Sequence, residues 1–226
     1  VSELLIKLKS KIKHASYRLR SRKEKFKKIY EEGGFSGKEL PLSGAGSTLE
    51  QTKRLRDMIP EVLKGLKAKS LLDAPCGDFT WMREIDLGGI SYIGVDIVDE
   101  IIEKNISNYS GGNIKFAVAD IVKDELPKAD VILCRDCFVH LSNKDIVRAL
   151  RNFKISQSSY LLTTTFYKAA NNRDLVSGRG WRPVNLVARP FNSPPPLKLI
   201  IEGCTEFDGT YYDKSLGLWK LSDLSV

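Results

Sequence analysis

Asp136 and His140 lie four residues apart in the run Cys134-Arg135-Asp136-Cys137-Phe138-Val139-His140-Leu141. A carboxylate and an imidazole at that spacing share one face if the piece is helical, and either can take a proton from a hydroxyl. The residues leave open which is the base and which orients the other. A second set of acids recurs upstream: Asp73 opens the loop Asp73-Ala74-Pro75-Cys76-Gly77-Asp78-Phe79, Asp96 follows Tyr92-Ile93-Gly94-Val95, and Asp120 follows Val118-Ala119. Each ends a short apolar run. Cys134 and Cys137 have the spacing of a redox or zinc pair, but no second pair accompanies them and Cys204 stands alone, so no metal site is expected.

The runs that end in these acids read as strands: Ser70 to Asp73, Ser91 to Asp96, Ile114 to Ala119, Asp130 to Cys134 and Tyr160 to Thr164, followed by Leu197 to Glu202 and Leu216 to Leu221. Helical patterns fall between them at Asp99 to Asn108 and Ser142 to Phe153. Another precedes them from Thr48 to Lys67, which Pro60 is expected to bend or divide. Alternation of this kind predicts an α/β, Rossmann-like, doubly wound and mostly parallel seven-stranded sheet with helices on both faces and the last strand antiparallel. In such a sheet, ligands sit at the carboxyl ends of the strands.

That placement turns the acids into a ligand site. Asp96 stands 19 residues past Gly77, where an acid after the second strand reaches ribose hydroxyls. Asp120 is placed to meet an adenine amino group. A pyrophosphate is electrostatically unwelcome in a turn with acids on either side of Gly77. A cationic nucleoside suits the turn better, and S-adenosylmethionine (SAM) combines a sulfonium, an ammonium and a ribose.

These residues resemble the class I SAM-dependent methyltransferases over roughly residues 47 to 221. More narrowly, the Ser70 to Met82 stretch, the Cys134 to Leu141 run and the closing Lys214-Ser215-Leu216-Gly217-Leu218-Trp219 resemble a microbial and viral subgroup linked to glycan methylation. The chain departs from the family's acid-x-Gly-x-Gly-x-Gly loop by carrying Pro75 and Phe79 in the outer glycine places. The resemblance implies that Asp73, Ala74, Pro75, Cys76 and Gly77 lie along the methionine part of the cofactor, with Asp73 near its ammonium. It further implies that Asp96 and Ile97 hold the ribose, that Asp120 and Ile121 hold the adenine, and that Arg135 lines the cleft. S-adenosylhomocysteine (SAH) would be the product.

Acceptor recognition falls to the long connection 167–196, rich in proline, and to the last turn. Trp181, Arg182 and Asn185, with Tyr211 and Lys214, offer aromatic faces and donors for sugar rings and anionic groups, and Thr163, Thr164 and Thr165 could add hydroxyls. The expected reaction is O-methylation of a saccharide hydroxyl, on a surface glycan or a deoxysugar such as rhamnose. The alternatives are a nucleic-acid methyltransferase and a SAM-binding partner of a glycosyltransferase without catalysis of its own. Against the first, no Asn/Asp-Pro-Pro-aromatic tetrad follows the fourth strand.

Charge and composition bound the rest. The 226 residues are 42% hydrophobic and 28% charged, which excludes a disordered or fibrous chain, and four cysteines are too few for a disulfide scaffold. The formal charge of +8 is concentrated at one end: eleven Lys and Arg precede residue 29 against Glu3 and Glu24 alone, so the remainder is close to neutral. The organisation expected is a basic amphipathic helical segment at 1–32, with Leu5, Leu8, Ile12, Ala15 and Leu19 on one stripe, followed by a methyltransferase domain at 33–226. Residues 1–28 suit an anionic membrane surface or a glycosyltransferase domain, and nucleic acid is not favoured. A cytoplasmic protein, peripheral to the membrane if that segment binds lipid, is the expectation.

Overall fold

The computed structural model describes residues 19–35 and 41–224; the stripe from Leu5 to Ala15 lies outside the described residues. Helix α1 (Arg22–Glu31) opens with a capping box, in which Ser21 accepts from the backbone of Glu24 and Glu24 reaches back to Ser21. Helix α2 (Lys53–Gly65) buries Leu55, Ile59, Val62 and Leu63 on one side. Pro60 sits inside α2 and does not divide it. The proline forfeits one backbone donor, while the buried side chains on both sides of it hold the two halves against the sheet. The helical pattern starting at Thr48 becomes regular only at Lys53, the preceding residues forming turns.

The strands are β1 (Ser70–Asp73), β2 (Ser91–Asp96), β3 (Ile114–Val118), β4 (Val131–Cys134), β5 (Tyr160–Phe166), β6 (Lys198–Ile201) and β7 (Lys214–Lys220), with α3 (Asp99–Tyr109) after β2 and α4 (Asn143–Ile155) after β4. They form one sheet in the order β3-β2-β1-β4-β5-β7-β6. Strand β7 pairs antiparallel with both β5 and β6, and the other pairs are parallel. This is the Rossmann-like arrangement the alternation called for.

Both faces are covered, and the pleat explains how. Leu71, Val131, Leu133 and Leu162 join the α2 side chains in one core, whereas Leu72, Ile132, Cys134 and Leu161 join Ile146, Ala149, Leu150 and Phe153 of α4 in the other. Successive residues of these strands thus feed opposite layers, which is why the central pairs Leu71-Leu72, Ile132-Leu133 and Leu161-Leu162 are apolar on both faces.

The connection 167–196 has no helix or strand, yet it is fastened to the body. Val184, Leu186 and Phe191 are buried in the α4-side core, and Trp219 Nε1 donates to Pro194 O at 2.8 Å. Among the described residues, no helix is long and apolar enough to cross a membrane.

Candidate active site

The strand order reverses between β1 and β4, and a crevice opens there beyond their carboxyl ends. One cavity occupies it. Its walls include Asp73, Pro75, Cys76, Gly77, Asp96, Ile97, Asp120, Ile121 and Arg135, together with Asp136 and His140. Tertiary folding thus brings together nearly all the residues that the sequence nominates for cofactor and catalysis; Ala74 alone of that set is not on the wall, being fully buried beneath it.

Position along the strands sets each acid's environment. Asp73 closes β1 with its side chain buried, and it accepts the Tyr92 hydroxyl at 2.7 Å. Burial raises its carboxyl to about 7, against the lowering effect of the tyrosine. Asp96 closes β2 and accepts from Gly77 N at 3.2 Å and Val98 N at 3.0 Å. Burial again prevails, raising it to about 6. Gly77 has φ +55, and a Cβ there would stand 2.1 Å from Ser43 Oγ, so only glycine lets the loop pass beneath Ser43. The Ala74–Pro75 peptide is cis.

Asp136 sits just past β4 in the left-handed region, at φ +49. Its backbone N–H donates to Thr164 Oγ1 at 2.9 Å, and its carboxylate takes Lys214 Nζ at 2.7 Å and Arg135 Nη1 at 3.3 Å. Burial opposes ionisation, but Arg135 and Lys214 outweigh it and hold the group at about 2. Lys214 is itself buried and lies 3.5 Å from Glu206 and 3.8 Å from Glu202, while Arg135 meets Glu202 at 2.7 Å and covers the Trp81 ring at 5.3 Å. Asp136 is therefore a fixed carboxylate in a charged network and a poor proton acceptor.

His140 differs. Burial lowers its pKa, so the ring is neutral at pH 7. Its Nδ1 lies 2.9 Å from Gly180 O, an acceptor only, which assigns the ring proton to Nδ1 and leaves the lone pair on Nε2. Phe35 covers the ring at a centroid distance of 4.5 Å.

The proposed acceptor residues separate into two groups. Trp181 and Tyr211 pack together at 4.6 Å, with Phe207 at 6.3 and 5.6 Å from them and Phe166 beneath. This cluster adjoins Asp136 and His140, because Trp181 follows Gly180, which meets His140, and Phe207 follows Glu206, which meets Lys214. Arg182 and Asn185 are buried away from the cavity. Arg182 donates to the carbonyls of Phe138 and Leu141 at 2.9 and 2.7 Å and to Asn143 Oδ1 at 2.8 Å. Asn185 donates to Ala169 O at 2.9 Å. Both brace the long connection. Thr163 donates to Cys134 O and Thr164 positions Asp136, and neither lines the cavity.

Sequence reading missed parts of the wall, among them Phe26, Tyr30 and Phe35. Ser43 and Ser47 line the cavity, and Gly46 passes so close that a Cβ would lie 2.9 Å from Asp136 Oδ2, 3.1 Å from Lys214 Nζ and 3.2 Å from Glu206 Oε2. The paired glycines of Ser43-Gly44-Ala45-Gly46-Ser47 were the available signal; they read as a turn, and their nearness to the charged network is a tertiary fact. Among the described residues, no group of three or more His, Cys, Asp or Glu is disposed to hold a metal ion.

Comparison with known proteins defines the class. Residues 71–155 match a methyltransferase-domain family model. No curated protein matches the chain. Human N-acetylserotonin methyltransferase, solved in complex with SAM, superposes with a TM-score of 0.50 at 14% identity, over 91% of this chain and 67% of that one. The methyltransferase domain of bacterial CtHen1 gives 0.44 at 17% identity over 52% and 66%, and the SAM-bound amino pentose methyltransferase CalS10 from Micromonospora echinaspora gives 0.43 at 14% over 48% and 48%. The chain spans just under two thirds of the length of the CtHen1 domain. The human likeness is one of fold. Residues 71–155 thus carry a methyltransferase domain, set in a fold shared with the human enzyme.

The site's residues fit SAM. Two buried carboxylates, Asp73 and Asp96, line the cavity with pKa values raised by desolvation, and a cationic ligand would relieve the cost of ionising them. Asp96 keeps lone pairs for ribose hydroxyls after accepting its two backbone donors.

Proposed function

We propose that the chain methylates a hydroxyl of a saccharide, a surface glycan or a deoxysugar such as rhamnose, with His140 as the general base. The observation that carries the reading is the neutral imidazole on the cavity wall whose Nδ1 proton is committed to Gly180 O, leaving Nε2 as a basic nitrogen. Bound SAM supplies an activated methyl group, leaving as SAH. Asp73 and Asp96 orient the cofactor. With SAM bound, its methyl–sulfur bond would break as the acceptor oxygen takes the methyl group, and His140 Nε2 would accept the hydroxyl proton, leaving the ring an imidazolium. Asp136, held by Lys214 and Thr164, stabilises that charge electrostatically.

A sugar acceptor is supported by the aromatic group beside His140. Phe207 is 67% exposed, and with Trp181 and Tyr211 it presents ring faces of the kind that stack on the apolar side of a pyranose. A basic arm reaching for phosphates has less support, because Arg22, Lys23 and Lys27 are paired with acids of the same chain.

The test is transfer of a radiolabelled methyl group from SAM to a panel of deoxysugar and hexose acceptors, with RNA, DNA and peptide alongside. Label on sugars alone, lost in His140→Ala, is the expected result. Label on nucleic acid or peptide alone would overturn the acceptor class, and activity unchanged in His140→Ala would overturn the base.

A further inference from the structure

Helix α1 lies over the mouth of the cofactor cavity. Arg22, Phe26 and Tyr30, spaced four apart and hence on one helical face, all line it, as does Phe35 just beyond the helix. The attachment is electrostatic and specific. Arg22 reaches Asp120 with Nη2 at 2.8 Å and Nε at 3.1 and 3.2 Å from its two oxygens, and Nη1 lies 3.1 Å from Asp145. Lys23 pairs with Asp99 at 2.6 Å, and Lys27 pairs with Glu100, both at the start of α3. Tyr30 turns its hydroxyl toward Ser43, and that oxygen would lie 3.9 Å from a Cβ on Gly77.

These contacts meet the cavity at both ends of a nucleoside. Asp120 is the acid that the resemblance assigns to the adenine, and both its oxygens are engaged by Arg22, Oδ1 also accepting Val122 N at 3.0 Å. Tyr30 stands at the Gly77 and Asp96 end, where the ribose belongs. The arginine of α1 thus meets the acid that the resemblance assigns to the adenine.

We propose that α1 is a wall of the cofactor site, with Phe26 and Tyr30 covering the nucleoside and Arg22 locking the helix to the adenine end through Asp120. The inference rests on the reading of this cavity as the SAM site. Retention of the cofactor then depends on the ion pairs that hold the helix, and screening of the exposed Lys23–Asp99 and Lys27–Glu100 pairs makes release faster at high ionic strength.

SAH titrated calorimetrically into the full chain, with stopped-flow release followed by tryptophan fluorescence, tests this. Arg22→Gln and Phe26→Ala should each weaken SAH by about tenfold or more, mainly through faster release, with ligand-free melting temperatures showing that the variants fold. A measurement without substitution stands beside it: saturating SAH should slow tryptic cleavage at Lys27 and Lys28. Unchanged affinity in both variants, or unchanged cleavage, would mean that α1 only packs on the domain. Tighter SAH binding in the variants would make α1 a competing plug, which equally overturns the proposal. Failure of the wild-type chain to bind SAH is a different result, and sinks the cofactor reading beneath it.

Discussion

Two neighbouring ionisable residues take opposite parts because their partners differ. Asp136 faces Arg135 and Lys214 and stays ionised, whereas His140 faces a carbonyl and an aromatic ring and stays neutral. Replacing His140 by Ala should lower kcat by about 10²- to 10⁴-fold while leaving SAH affinity nearly unchanged, as a calorimetric titration would show. The pH profile of kcat/KM should rise through a midpoint below the ordinary 6.5 of histidine and level off above it, because the protonated ring cannot accept the hydroxyl proton. In Asp136→Asn that midpoint should move lower still. The carboxylate favours the imidazolium, and its loss leaves the charges of Arg135 and Lys214 less neutralised. An upward shift would show that Asp136 does not act on His140 electrostatically.

Elements matter at this site mainly through what they allow to approach. The loop carrying Gly46 presses its backbone on the Asp136–Lys214 pair, so Gly46→Ala should displace the pair and cut turnover by about tenfold or more, the equivalent of 1–3 kcal/mol of overpacking. Far-UV circular dichroism should be unchanged; an unaltered turnover would mean that the pair yields freely. Arg182 ties the long connection to the carbonyls between β4 and α4. Arg182→Met removes the guanidinium donors from Leu141 O and Asn143 Oδ1 and one of two donors from Phe138 O, and should cost about 3 kcal/mol, a fall in Tm of about 6–12 °C. The sheet itself should survive, since its own ladder does not use that side chain.

The molecule as a whole carries a pH signature of its cofactor. Asp73 and Asp96 have folded pKa values of about 7 and about 6, above the ordinary 3.8 of aspartate, so the stability they contribute is present below about pH 4 and is lost as pH rises through 6 to 7. A cationic ligand reverses that bias by favouring the carboxylates. SAM affinity should therefore increase from pH 5 to pH 8, more steeply than that of SAH, which lacks the sulfonium, and Asp73→Asn should flatten the dependence. At a SAM concentration of about 100 times the pH 8 Kd the gain is about 2.7 kcal/mol, or about 5–11 °C in a thermal melt, and the same concentration gains less at pH 5. Most of the architecture was legible beforehand. Strand-length apolar runs ending in Asp73, Asp96 and Asp120, separated by helical periods, determined a parallel sheet and the side of it on which a ligand sits, because hydrophobic period and strand-end polarity are local properties of the chain. Tertiary structure alone decided the roles within the site. Arg182 could be read as a donor for substrate but is spent on carbonyls 39 to 44 residues away, and Arg22 could be read as a solvated cation but meets Asp120 across 98 residues. The tautomer of His140 likewise rests on Gly180, 40 residues on. Protonation, burial and partner choice depend on which distant groups share a low-dielectric space, and no local spacing encodes that.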